Sequence, residues 1–139
     1  VEHDLERLRS VEFVPFEQAI TAGTDFIMAG HIKTPNATTD DLPATLSSEM
    51  MGILRNDLGF DGIIITDAMN MGAIVDTYGS GESAVMAVQA GVDMVLMPAN
   101  LQEAAKALTE AIKTGAISEE RVEDALWRIL SLKYDKGIL

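Results

Sequence analysis

The sequence contains no cysteine, which excludes a disulfide framework and any metal site built from thiolates. Basic side chains are scarce, since 10 lysines and arginines face 22 aspartates and glutamates, for a formal net charge of −12. A chain of that charge repels a phosphate backbone, so we expect no nucleic acid partner. The missing cysteine does not indicate a compartment, and the location, cytoplasmic or exported, stays unknown at this point.

Long apolar runs are missing as well. No run approaches the roughly 20 residues that cross a bilayer, and the opening stretch, VEHDLERLR, lacks the apolar core of a signal peptide. Hydrophobic residues nevertheless make up 47% of the 139 positions, which is enough for one domain with a real core. We therefore expect a soluble globular domain without a membrane span.

A motif of glycine, any residue and aspartate occurs three times, each time followed by a short apolar stretch. The copies are Gly23-Thr24-Asp25, Gly59-Phe60-Asp61 and Gly91-Val92-Asp93. Apolar residues at helical spacing precede the copies, so each glycine is expected to end a helix. The stretches that follow are apolar throughout rather than alternating, which is typical of parallel strands covered by helices. The three aspartates then lie at the amino ends of strands, where we expect structural roles.

The repeat predicts an α/β fold of successive parallel βα units. Three predicted strands and about five helical segments are too few for a closed (β/α)8 barrel, which takes roughly 250 residues. From the residues alone, the sheet is either open or part of a barrel. In both cases functional groups are expected on the loops that follow the carboxyl ends of the strands.

The stretch from residue 53 to residue 70, ILRNDLGFDGIIITDAMN, holds the main candidate for chemistry. Asp67 comes at the end of a predicted buried strand, after three isoleucines and Thr66. An unpaired carboxylate is strongly disfavoured in a core, so packing does not explain an acid at this point. The same edge of the sheet is expected to carry His31, Lys33, Asn70, Met71 and Asn100.

In this stretch the sequence resembles glycoside hydrolase family 3. The family signature has two aliphatic residues, a basic residue, a charged residue two places on, then glycine, three aliphatic residues, serine or threonine, and aspartate, with a small or polar residue three further along. The matching residues are Ile53, Leu54, Arg55, Asp57, Gly62, Ile63, Ile64, Ile65, Thr66, Asp67 and Asn70. DLPATLS before it, MGAI and AGVDMVLMP after it and the closing RILSLKY are also similar, so the resemblance covers nearly the whole chain.

The resemblance implies a (β/α)8-type barrel and a retaining hydrolase in which Asp67 matches the catalytic nucleophile. Within the family, the sequence most resembles bacterial β-N-acetylglucosaminidases that trim cell-wall sugars. In that branch an Asp-His pair, close to a Lys-His-Phe-Pro-Gly-His-Gly stretch, supplies the acid/base, and this sequence has neither. Its first residues resemble the helix just after that loop. We therefore expect residues 1–139 to be a partial barrel domain, the C-terminal part with about three strands, incomplete in this chain.

The expected reaction is the release of terminal β-linked sugars, above all β-N-acetylglucosamine, through a glycosyl-Asp67 intermediate and without a cofactor or metal. His31 and Met71 are the expected sugar contacts. His31 could donate to a ring hydroxyl or serve as a hydrogen-bonded structural histidine, and Met71 could pack against the acetamido group or fill the core.

Three alternatives stay open at this point. A β-glucosidase of the same family would share the fold and Asp67. A non-catalytic half-barrel would pair its exposed strand edges with a second copy or with the missing half of the barrel. A lyase or aldolase is disfavoured, because Lys33 lies in a polar loop that would not depress its pKa by burial.

Overall fold

The computed structural model describes the whole chain, from Val1 to Leu139. The glycines of the repeated motif each end a helical segment with a positive φ, at 81° for Gly23, 69° for Gly59 and 121° for Gly91. Glycine adopts this backbone region without the steric cost that a Cβ imposes, so the chain reverses there and enters the next strand. This confirms the helical segment and the turn of all three copies, and strands follow the first two.

Two strands lie among seven α-helices and three further helical turns. In chain order they are α1 (Leu5–Arg7), a π-helical turn (Leu8–Glu12), α2 (Val14–Thr21), β1 (Phe26–Ala29), a 3-10 turn (Ala44–Leu46), α3 (Ser48–Gly52), a second π-helical turn (Ile53–Asp57), β2 (Ile63–Thr66), α4 (Gly72–Val75), α5 (Ser80–Ala90), α6 (Leu101–Lys113) and α7 (Glu119–Asp135). None of the helices is both long and apolar enough to cross a bilayer.

Three helix starts are set by local capping. The side chains of Ser47, Asn100 and Ser118 each accept a hydrogen bond from a backbone N–H in the first turn of the helix that follows. Helix α5 begins at Ser80, and the carboxylate of Glu82, its third residue, reaches back to accept from the backbone N–H of Gly79 at 3.4 Å.

Strands β1 and β2 pair in parallel, with Phe26 opposite Ile63 and Ala29 opposite Thr66. The expected third strand over residues 94–97 is wrong in extent, because only one parallel bridge forms, between Ile65 and Met94. Two features stop the pairing of this segment with β2. The Leu96 N–H donates to the Thr66 hydroxyl at 2.8 Å instead of to a strand carbonyl, and Met97 has φ 47°, which no extended strand can accommodate. The sheet therefore has two strands and a third segment lying beside β2.

Strand β2 lies at the centre of the core. Ile64 is fully buried between the helices and belongs to one hydrophobic cluster with side chains of both strands, of α3 and of α5. The hydrophobic side chains of β1 behave differently, because Ile27 and Ala29 are buried against helices while Phe26 and Met28, on the other face, are 43% and 51% exposed. The carboxyl ends of both strands lead into the loops described next.

Candidate active site

Asp67 follows β2 directly and is held by backbone and side-chain bonds. Its N–H donates to the carbonyl oxygen of Ala29, the last residue of β1, at 2.9 Å. Its Oδ1 accepts a hydrogen bond from the N–H of Ala68 at 2.7 Å, whereas Oδ2 has no hydrogen-bond partner within the chain. The side chain is half-buried. One carboxylate oxygen is therefore oriented by the protein, and the other is available to a ligand.

His31 lies beside this aspartate, across the loop. Its Nε2 lies 3.0 Å from the carbonyl oxygen of Ala68, and its Nδ1 lies 2.9 Å from the hydroxyl oxygen of Thr45. A carbonyl oxygen can only accept, so Nε2 carries a hydrogen and donates it. Both ring nitrogens are thus engaged by the protein.

Thr45 reaches His31 because the loop after β1 folds back on itself. The N–H of Ala44 donates to the carbonyl of Ile32 at 2.9 Å, and that of Thr45 donates to Gly30 at 3.3 Å. The 3-10 turn then buries Thr45 completely, and its hydroxyl donates to the carbonyl oxygen of Ala29 at 2.9 Å. Sequence reasoning missed Thr45, since one threonine between alanine and leucine is a weak signal.

The loop after Asp67 is fixed on its other side as well. The N–H of Met69 donates to the carbonyl of Leu96 at 2.9 Å, and the Met69 side chain is buried. The N–H of Met71 donates to the carbonyl of Ala68 at 3.2 Å, which closes a tight turn before α4 begins. Asn70, inside that turn, is exposed. The Met71 side chain is 45% exposed, so it can contact a ligand.

Two of the predicted residues are engaged elsewhere. The ammonium group of Lys33 lies 3.3 Å from the Asp41 carboxylate in an exposed part of its loop. The Asn100 side chain accepts from the N–H of Glu103 at 3.1 Å and thereby caps α6. The structure brings together His31 and the loop of Asp67, and assigns Lys33 and Asn100 to local contacts.

A cleft with polar residues lies at the amino ends of the strands, away from Asp67, and Asp25, Asp61 and Arg128 contribute to its lining. A second cleft lies on the helix-covered side of β1 and does not include Asp67, His31 or Met71. Its lining is apolar, from side chains such as Leu8, Phe13, Phe16, Ile27, Met50 and Leu54. No group of three or more histidine, aspartate and glutamate side chains is arranged to hold a metal ion.

Comparison with known proteins identifies relatives across nearly the whole chain. The family model described as "Glycosyl hydrolase family 3 N terminal domain" matches residues 1–132. A β-N-acetylglucosaminidase/β-glucosidase of Cellulomonas fimi is 32% identical over 135 residues, which cover 90% of this chain and 24% of that protein. Beta-hexosaminidase A of Pseudoalteromonas piscicida is 29% identical over 154 residues, which cover 96% of this chain and 26% of that protein.

A solved structure agrees with these matches. The glycoside hydrolase family 3 β-N-acetylglucosaminidase from Paenibacillus sp. str. FPU-7 has a TM-score of 0.95 and 42% identity, and the match covers 99% of this chain and 27% of that one. The chain thus spans about a quarter of the length of these three relatives. Because the family model matches almost every residue, the chain belongs to glycosyl hydrolase family 3.

Proposed function

We propose that this chain carries the nucleophile of a retaining β-N-acetylglucosaminidase that releases terminal sugars from cell-wall material. The observation that carries the proposal is the state of Asp67, with one carboxylate oxygen oriented by Ala68 and the other unbound at the carboxyl end of β2. A strand end of a βα fold is where such enzymes hold their reacting groups. The names of the relatives, hexosaminidase and acetylglucosaminidase, support the sugar class.

The proposed reaction has two displacements. The unbound Oδ2 of Asp67 attacks the anomeric carbon and forms a glycosyl ester, while the bond to the leaving oxygen breaks and that oxygen takes a proton. Water then attacks the anomeric carbon, gives up a proton, and frees the carboxylate with the original configuration restored. Retaining enzymes usually place the proton donor about 5 to 5.5 Å from the nucleophile. The sequence has no match to the Asp-His pair that supplies the acid/base in the branch it resembles, so we assign the donor to a residue outside residues 1–139.

The same proposal covers the architecture. Residues 1–139 would form part of a (β/α)8 barrel domain, whose remaining strands continue the sheet beyond β1. Support comes from the exposed Phe26 and Met28 side chains on the face of β1 that turns away from the helices. A second copy of the chain would be the alternative cover for that face and for the unpaired edge of β1, in which case the chain is a self-associating module.

Two side chains are proposed to contact the sugar. The exposed thioether of Met71 can pack against the acetamido methyl group or the apolar face of the ring. His31 can contribute only through its ring carbons while Thr45 and Ala68 occupy both nitrogens. A β-glucosidase is the second candidate, because the printed name of the Cellulomonas fimi relative includes both activities. Rates on matched chromogenic acetylglucosaminides and glucosides separate these two candidates.

The experiment that tests the proposal is trapping with a 5-fluoro analogue of β-N-acetylglucosaminyl fluoride. Fluoride leaves without protonation, so the test needs the nucleophile and not the missing acid. We expect the intact mass of the protein to rise by one sugar, and peptide mapping to place the adduct on Asp67.

Asp61→Asn serves as the matched control, because it removes a carboxylate at the opposite end of the same strand, and it should label as the wild type does. An adduct on another residue, or no adduct in a protein whose circular dichroism shows it to be folded, would overturn the proposal. Labelling by the glucose analogue alone would support the β-glucosidase.

A further inference from the structure

We propose that His31 is a positioning residue that holds the nucleophile loop through Ala68, an inference that rests on Asp67 being the nucleophile. The argument begins with Ala68, which contacts both side chains. Its N–H orients Oδ1 of Asp67 at 2.7 Å, and its carbonyl oxygen accepts from Nε2 of His31 at 3.0 Å. A rotation of Ala68 that breaks one of these bonds strains the other. The imidazole therefore restricts the carboxylate without contacting it.

The carbonyl of Ala68 has two donors, and so does that of Ala29. Ala68 accepts from His31 and from the N–H of Met71, while Ala29 accepts from the N–H of Asp67 and from the Thr45 hydroxyl. The Thr45 hydroxyl also contacts Nδ1 of His31 at 2.9 Å. The result is a closed chain of hydrogen bonds that runs from the Asp67 backbone through Ala29, Thr45 and His31 to Ala68, and from there to the Asp67 carboxylate.

The hydrogen bonds in this series restrict which nitrogens of the His31 ring carry a hydrogen. Nε2 must donate, because Ala68 presents a carbonyl. The one hydroxyl hydrogen of Thr45 lies between two acceptors when the ring is neutral, the carbonyl of Ala29 and Nδ1 of His31. If Nδ1 also carries a hydrogen, Thr45 accepts from the ring and donates to Ala29, and all bonds are made at once. In both forms the bond that holds Ala68 is retained.

Burial makes these bonds effective restraints. Thr45 is fully buried and His31 is half-buried, so water does not readily replace either partner. Reacting atoms must be held close to their productive geometry, and a displacement of about 1 Å can cost roughly 10²-fold in rate. The hydrogen bonds of His31 thus act on the chemical step, whereas a sugar contact by His31 would act on binding.

The test compares variants of matched shape in the trapping reaction with the fluoro sugar. In His31→Phe the ring remains and the donor to Ala68 is lost, so the first-order rate of labelling of Asp67 should fall by about 10- to 100-fold. The saturation constant for the sugar should stay within about threefold. His31→Gln restores an N–H donor at a similar reach and should recover part of the rate. Thr45→Val, which keeps shape but lacks the hydroxyl, should lower the rate and Thr45→Ser should not.

The outcomes are distinguishable. If wild-type Asp67 does not label, the proposed function fails. If it labels and His31→Phe labels at the same rate, or if the loss appears in the saturation constant alone, the positioning role fails. Nitrogen-15 NMR of the His31 ring provides a readout without substrate, since Nε2 must be protonated in the wild type and in Thr45→Val. A ring with no hydrogen on Nε2 would also overturn the inference.

Discussion

Turnover of β-N-acetylglucosaminyl fluoride is expected to fall by about 10⁴-fold or more when Asp67 is replaced by alanine, the scale expected for loss of a covalent nucleophile. The substitution should leave the fold intact, because the carboxylate makes one hydrogen bond within the chain, to the N–H of the next residue. Thermal unfolding and circular dichroism of the full chain check this point. Rate measurements with the fluoride isolate the nucleophile, since this leaving group requires no proton donor.

Small anions provide a sharper test of the same variant. Azide can enter the space that the Asp67 carboxylate leaves, attack the anomeric carbon from that side as fluoride departs, and yield a sugar azide of inverted, α configuration. Azide should therefore raise the rate of Asp67→Ala in proportion to its concentration and have no such effect on Asp61→Asn. Full wild-type turnover in Asp67→Ala, or a β-configured azide product, would contradict a role as nucleophile.

Replacing Asp93 with asparagine is expected to lower the free energy of unfolding by about 3–5 kcal/mol, as removal of one partner from a buried ion pair usually does. The Asp93 side chain is fully buried and accepts hydrogen bonds from Arg55, Arg121 and Arg128. Its Oδ2 also accepts from the N–H of Ile64 at 3.0 Å, at the amino-terminal end of the sheet. Asparagine would leave three guanidinium groups around a neutral amide.

Two opposing effects act on the Arg55 guanidinium in this cluster. Burial lowers the pKa of the Arg55 guanidinium below its ordinary value, while the carboxylate of Asp93 acts in the opposite direction. Arg55 also donates to the carbonyls of Phe60 and Gly62, and so connects the second π-helical turn to the start of β2. Arg121 and Arg128 connect the same point to α7. Loss of the carboxylate would weaken all of these connections together.

The repeated motif supplies the controls for Asp93. Asp61 occupies the equivalent place before β2 and is exposed without an ion pair, so Asp61→Asn should change stability by no more than about 0.5 kcal/mol. Asp25 lies 2.8 Å from Lys136, and its hydrogen bond raises the pKa of that exposed lysine. Asp25→Asn should cost far less than Asp93→Asn, because solvent screens the pair with the exposed Lys136. Urea denaturation of the full chain measures all three, and equal effects at the three positions would contradict the assignment.

The local parts of the fold could be predicted from the sequence because their causes lie within a few residues. Gly23, Gly59 and Gly91 end helical segments through their own backbone freedom. Ser47 and Asn100 each cap the helix that follows by accepting from an N–H three residues further along. The position of Asp67 at a strand end follows from the apolar stretch before it. Such features depend on one segment of chain and on no distant partner.

The parts that sequence reasoning missed depend on partners that are far apart in the chain. The repeat predicted the same structural role for Asp25, Asp61 and Asp93. Only Asp93 is buried and faces the arginines of α7. The third strand was expected in full, yet the Thr66 hydroxyl takes the bond of Leu96 that a strand would have used. The contact of His31 with Thr45 likewise requires the loop between them to fold back on itself.

The bonds of the Asp67 loop also bear on when the site forms during folding. The N–H of Asp67 bonds to the preceding repeat, through Ala29, and the N–H of Met69 bonds to the following repeat, through Leu96. The Asp67 amide is protected from hydrogen exchange only once the preceding repeat has docked on β2, and the Met69 amide only once the following repeat has docked. Many reactive residues lie on segments that open easily. The backbone of this aspartate is instead bonded to the sheet, and any change that loosens the sheet would reduce the fraction of molecules that possess a formed site.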